Sequence, residues 1–326
     1  MSMRRRRHSS LISLLLALTL LLSVSAAAFG EEAAPKAQIE LKGEAELNWV
    51  CGEPWHEPGF TAADAEGKSR TGDVTVEGEV IPWRPGDYEL RYVLAEGDEV
   101  LAEAARLVHV EAQILPETVQ PPKGTICLTF DDGPCAYTEE ALEVLGRYGV
   151  KATFFVVTNQ TKYLHLLPKI VEQGHTLGIH CYDHRSYEWL YKNERNYFTD
   201  LMTAQEIVHD YTGQYAHVVR FPGGSRTASF LAANFPDGYE EMYRVMHDAG
   251  VRAYDWNVQP ESSTKTTEGT FIDFSNPREP YEYAVVLQHD ARLFSVKALE
   301  RMIEWALGEG YTFAALDETY PEVHFY

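Results

Sequence analysis

The chain has 326 residues, enough for two domains with a sizeable core in at least one of them. At 45% hydrophobic and 24% charged it has the composition of an ordinary soluble globular protein. Its formal charge of −21 repels nucleic acid and anionic lipid, which argues against partners of that kind and favours a neutral polymer.

In chain order, the first feature is an address. Arg4 to Arg7 form a basic head, Leu11 to Val24 run apolar without a charge, and Ala26, Ala28 and Gly30 supply small residues for cleavage. Residues 1–30 are therefore expected to be a signal peptide, and the protein secreted or held at the cell surface. Leu11 to Phe29 could nearly span a bilayer, so membrane contact is expected only if this segment stays uncleaved. Four cysteines in a chain this long make no disulfide framework.

Residues 37–112 alternate short apolar runs with turn signals. Ile39 to Leu41, Val74 to Val76, Tyr88 to Val93 and Arg106 to Val110 read as strands, separated by Pro58-Gly59, Glu66-Gly67 and Pro85-Gly86-Asp87. That spacing predicts a small all-β sandwich, with no metal-spaced residues, serving as a spacer or adhesion element. Pro116, Pro121 and Pro122 mark residues 113–124 as a stiff extended linker. From residue 125 to 326 strand and helix patterns alternate. Strands are expected near 125–130, 152–157, 176–179, 218–221, 252–257, 284–288 and 312–316. Helices are expected near 138–148, 164–173, 193–211, 239–249 and 295–308. Repeated β-then-α units imply a parallel sheet, closed or doubly wound.

Reactive residues follow the apolar strands: Asp131 and Asp132, then His180, Arg220, Asp255 and His289. In a β/α barrel those strand ends share one face. His180 and His184 are four apart, on one face of a helical turn. With Asp132 they make the two-nitrogen, one-oxygen set of a catalytic zinc with an open position. Asp131 is then free to act as a base, Arg220 to orient it and His289 to protonate a leaving amine. The backbone of Pro222 to Gly224 offers N–H groups to an oxyanion. If Asp132 and His180 bind one ion, Cys135 and Cys181 come near enough for a disulfide to be open, whereas Cys51 and Cys127 are expected to be free.

The stretches TFDDGP, HCYDH, RFPGG, YDWNV and VVLQHD, in that order over 125–316, resemble the polysaccharide deacetylases of carbohydrate esterase family four, the NodB-homology domain. The order EPGFTAADAEGK, RPGDYELRYVL, ARLVHV before them resembles bacterial Ig-like modules. The resemblance implies an α/β fold, a distorted (β/α) barrel preceded by the smaller Ig-like sandwich. It implies Asp131 as base, Asp132, His180 and His184 as ligands of Zn2+ or another ion such as Co2+, Arg220 as support and His289 as acid. Gly223 and Trp256 are expected at the substrate, with Gly223 standing where many members carry an aromatic. Gln259 and Ser262 replace the usual Asp-x-x-Asp, so the carboxylate tuning His289 is left among Asp255, Glu261 and Asp290. The implied reaction is N-deacetylation of an aminosugar polymer. O-deacetylation of xylan and a non-catalytic wall-binding protein remain as alternatives.

Overall fold

Alternating side chains in residues 38–111 give two β layers. The computed structural model describes residues 36–184, 186–231, 238–263 and 265–325; the leader expected at 1–30 lies outside them. β1 (Gln38–Leu41) pairs with β3 (Phe60–Ala63). The second layer has the order β2 (Glu46–Val50), β6 (Glu99–Glu111), β5 (Gly86–Glu96), β4 (Val74–Glu77), with only the β2–β6 pair parallel. A Gly97-Asp98 turn joins β5 to β6. Leu90, Tyr92, Val108 and Val110 fill the space between the layers.

Beyond the linker every strand is parallel: β7 (Thr125–Asp131), β8 (Thr153–Val157), β9 (Thr176–Cys181), β10 (Val218–Val219), β11 (Arg252–Ala253), β12 (Tyr283–His289) and β13 (Thr312–Phe313). Their order is β11-β10-β9-β8-β7-β12. β7 has β12 along one side; on the other, β13 takes Thr125 and Ile126 while β8 takes Thr129 to Asp131. The sheet curls into a partial barrel, with β11 and β12 at its edges.

The helices are α1 (Thr138–Tyr148), α2 (Leu167–Glu172), α3 (Tyr187–Leu190), α4 (Glu194–Thr212), α5 (Gly224–Leu231), α6 (Gly238–Asp248), α7 (Thr267–Ser275) and α8 (Leu293–Gly308). None of the described helices is long and apolar enough to cross a membrane.

Strand periodicity assigns the two faces. Ile126, Leu128 and Phe130 of β7 join the large helix-packed core, with Phe154, Ile179, Val219 and Val286 from the neighbouring strands. Cys127, Phe155, Val218 and Val285 line the opposite face with Tyr254 and Leu316. Gly178 makes that inner face close, since a Cβ there would sit 2.8 Å from the Phe155 ring and 2.9 Å from Val218.

The Ig-like half packs directly against the parallel-sheet half. Trp83 is buried in the core of the parallel-sheet half, stacked on Phe198 of α4 at 5.6 Å, and Ala249 is buried in the core of the β-module. Arg84 forks onto Glu194 and also reaches Glu241. Each core thus contains a residue from the other half.

Candidate metal centre and active site

The inner-face register carries the site. Cys127, Thr129 and Asp131 point inwards from β7, and Asp131 stands opposite His289 of β12. The next residue should point away, but Asp132 adopts φ 71°, a left-handed conformation that Asp tolerates better than most residues. This turn brings the second carboxylate to the same cavity. Gly133 follows under strict steric demand, since a Cβ there would lie 2.1 Å from the Asp290 carboxylate.

His180 is the penultimate residue of β9, and its Nδ1 lies 2.7 Å from the carbonyl oxygen of Arg220. A carbonyl only accepts, so Nδ1 carries the proton and Nε2 keeps a lone pair. Burial holds this imidazole well below its usual pKa, in the neutral form a metal needs. His184 does not sit on a helical turn with it, as the four-residue spacing predicts. Thr158 and Asn159 donate to the carbonyls of Cys181 and Tyr182, and the Asp200 carboxylate takes the amides of Tyr182 and Asp183. Those bonds hold the segment open and swing His184 back over the strand end.

Asp132 Oδ1 lies 3.7 Å from His180 Nε2 and 3.8 Å from His184 Nε2. These are too long for hydrogen bonds, and among the described residues the Asp132 carboxylate makes none. All three donor atoms fall within 4.8 Å of one another. Ligands at about 2.0–2.2 Å from one ion require such a spacing, so the donor set fits a divalent metal. A cleft of about 300 Å3 opens beside them, lined by Asp132, Val157, Asn159, Gln160, Asp183 and His184.

Arg220, fully buried, uses its whole fork. Nε donates to the Tyr254 carbonyl, one terminal nitrogen to the Asp255 carbonyl, and the other to Thr129 Oγ1 and Asp131 Oδ1 at 2.6 and 2.9 Å. Burial raises the pKa of Asp131, while the charges of Arg220 and His289 act against the rise. His289 places Nε2 3.9 Å from Asp132 Oδ2.

Glu261 is the carboxylate facing His289. Its Oε2 lies 2.8 Å from His289 Nδ1, its Oε1 accepts the His289 amide at 3.0 Å, and Arg292 donates to Oε2 at 2.6 Å. Burial alone would lower the pKa of His289; the bond to Glu261 and the charges of Glu261 and Asp131 more than offset it and raise it. Asp255, a catalytic candidate in the sequence, is not part of this group. Its carboxylate is taken by the Ser225 amide and hydroxyl and the Phe325 amide, so it ties α5 to the C-terminal segment. Asp290 is also turned elsewhere, accepting from Thr138, with burial pushing its pKa up to about 7. Arg292 carried no signal beyond its place three residues after His289.

Gly223 is exposed with φ 80°, and the Gly224 amide is bonded to the Phe221 carbonyl, so at most the Gly223 amide of that pair is left for a ligand. Trp256 lies over the Arg220 guanidinium, 5.7 Å from ring centre to carbon. All four cysteines are free: Cys135 bonds the Asp290 carbonyl, and Cys181 is buried in the sheet, so the open disulfide is not formed.

A family model described as polysaccharide deacetylase matches residues 118–242, and one described as a bacterial surface protein Ig-like domain matches 39–110. The putative polysaccharide deacetylase YheN of Bacillus subtilis is 30% identical over 206 residues, covering 61% of this chain and 70% of its own. A peptidoglycan-N-acetylglucosamine deacetylase of Bacillus cereus is 27% identical over 210 residues with the same coverage. The solved catalytic domain of the peptidoglycan N-acetylglucosamine deacetylase of Eubacterium rectale is 34% identical, with a TM-score of 0.58 over 65% of this chain and 96% of that one. With the parallel sheet, the three-donor cluster and these relatives together, the chain belongs to the polysaccharide deacetylase family.

Proposed function

We propose that the protein is a metal-dependent hydrolase that removes N-acetyl groups from an aminosugar polymer, peptidoglycan or a chitin-like chain, outside the cell or at its surface. The observation that carries this reading is the convergence of Asp132, His180 and His184 beside two further pairs, Asp131–Arg220 and His289–Glu261. Two of the relatives are named as deacetylases of peptidoglycan N-acetylglucosamine, and the Ig-like match fits work at a cell surface.

Asp132, His180 and His184 would hold Zn2+, or another divalent ion such as Co2+, which supplies Lewis acidity to the acyl oxygen and to the attacking water. Asp131, oriented by its bond to Arg220, takes the proton from that water. As the carbon–nitrogen bond breaks, His289 delivers its proton to the amine nitrogen, and Glu261 fixes the ring so that Nε2 faces the cavity. The products are acetate and the free amino sugar.

Metal content and acetate release measured on the same variants test the assignment. Asp132→Asn and His180→Ala should each lose metal as well as rate, since each removes one of three protein ligands. Asp131→Asn should keep the metal while turnover of acetylated chitooligosaccharides falls by roughly 10² to 10⁴. If Asp131→Asn strips the metal and Asp132→Asn retains it, the two carboxylates are assigned the wrong way round. If the metal-loaded wild type releases acetate from xylan and none from any aminosugar polymer, the substrate assignment falls.

A further inference from the structure

We infer that Phe325, paired with Trp256, is a stacking platform for a pyranose ring of the substrate chain next to the sugar being deacetylated. This rests on the deacetylase reading and adds a residue that neither the motifs nor the metal cluster points to.

The two rings meet edge to face, with centroids 4.8 Å apart and planes at 89°. Trp256 is half-buried, lies over Arg220, and Arg220 bonds Asp131. The platform therefore begins one side chain away from the proposed base. Phe325 is 46% exposed, yet its backbone is held from several sides. Its amide donates to Asp255 Oδ2 at 2.8 Å, the Val323 carbonyl accepts the Asp255 amide at 2.7 Å, and the Tyr320 carbonyl accepts the Tyr254 hydroxyl. Glu322 adds contacts to His247 at 3.2 Å and Arg252 at 3.8 Å.

A large apolar ring left in water on a pinned backbone pays no further ordering entropy when a ligand covers it. The C–H face of a pyranose is the matching surface, since it packs on aromatic rings while its hydroxyls stay in water. The neighbouring glycines make room for this. At Gly224 an added Cβ would lie 3.2 Å from Trp256 and 3.4 Å from Phe325, and Gly223 carries no side chain either.

The test uses Phe325→Ala and Phe325→Trp in the full chain, assayed on acetylated chitooligosaccharides of increasing length and on a small acetyl ester. Phe325→Ala should lower kcat/KM on the longer oligomers, relative to the ester, by about 5- to 10-fold, mainly through KM. Phe325→Trp should restore most of it. Calorimetric binding of the same oligomers to wild type and Phe325→Ala is read in parallel and needs no turnover. Equal losses on every substrate, or no loss on any, overturn the platform. If the wild type shows no deacetylation at all, it is the proposed function that fails, and a length-dependent binding difference still upholds the platform.

Discussion

Glu261 touches His289 twice, once at the ring and once at the backbone amide, so it sets both where the imidazole stands and which nitrogen faces the cavity. Glu261→Ala should therefore lower kcat by about 10²-fold with metal content unchanged, because the proposed acid His289 is misplaced while the proposed metal donors are not. Unaltered kcat would show that the ring is held by its packing alone. The same residue marks where sequence reading stops. The strand-end positions of Asp131, Asp132, His180 and His289 were readable because each closes or directly follows an apolar run. Glu261 follows Pro260 in a segment without periodicity, so nothing local distinguishes it from Asp255 or Asp290. Asp255 looked better placed, but its strand pairs over only Arg252 and Ala253, and its carboxylate turns towards Ser225.

At the scale of elements, the strands and long helices were legible because their apolar spacing is regular over many residues. β2, β3, α5 and α7 were not, being short or weakly patterned, and the turn at 181–184 was misread as helical because its hydrogen bonds come from distant Asp200. The approach to β9 contains a second buried histidine, with a different role. His175 Nδ1 accepts the Ala152 amide at 3.1 Å, its Nε2 is buried without a partner, and its ring meets Phe154 edge to face. Burial, assisted by Lys151, pushes its pKa down to about 4. The unfolded chain takes up this proton near 6.5, so between pH 6.5 and 4 the unfolded state binds more protons. A contribution on the order of 2–3 kcal/mol is then complete above pH 6.5 and lost as the pH falls towards 4. Urea unfolding of wild type and His175→Gln at pH 7.5 and 4.5 reads it out: the wild type should lose more stability between the two. Equal losses would mean that His175 titrates alike in the folded and unfolded chain.

Across the whole molecule, the two halves share cores instead of meeting at a hinge. The Trp83 indole donates to Glu194 as well as stacking on Phe198, so its removal leaves a cavity and weakens a buried polar contact. Trp83→Ala should cost about 3–5 kcal/mol. Deleting residues 37–112 should lower the melting temperature of the remainder, and the intact chain should melt in one transition. Two separated transitions, or a deletion as stable as the full chain, would show that the two halves fold independently. Sequence alone could not show that the two halves interlock, because Trp83 and Arg84 sit in a turn whose partners lie over a hundred residues away.

The segment between the halves has Ile114 almost bare to solvent and Val119 largely exposed, yet it is fastened along its length. Gln113 donates to the Asp248 carbonyl, Arg252 to that of Pro116, Val119 to that of Thr319 and Gly124 to that of Glu282. It is therefore a strap laid over a joint already closed by Trp83 and Arg84. A protease nick within it would cut the polypeptide without parting the molecule, and the two fragments would travel together as a noncovalent complex with the cleft beside Asp132 and His184 intact.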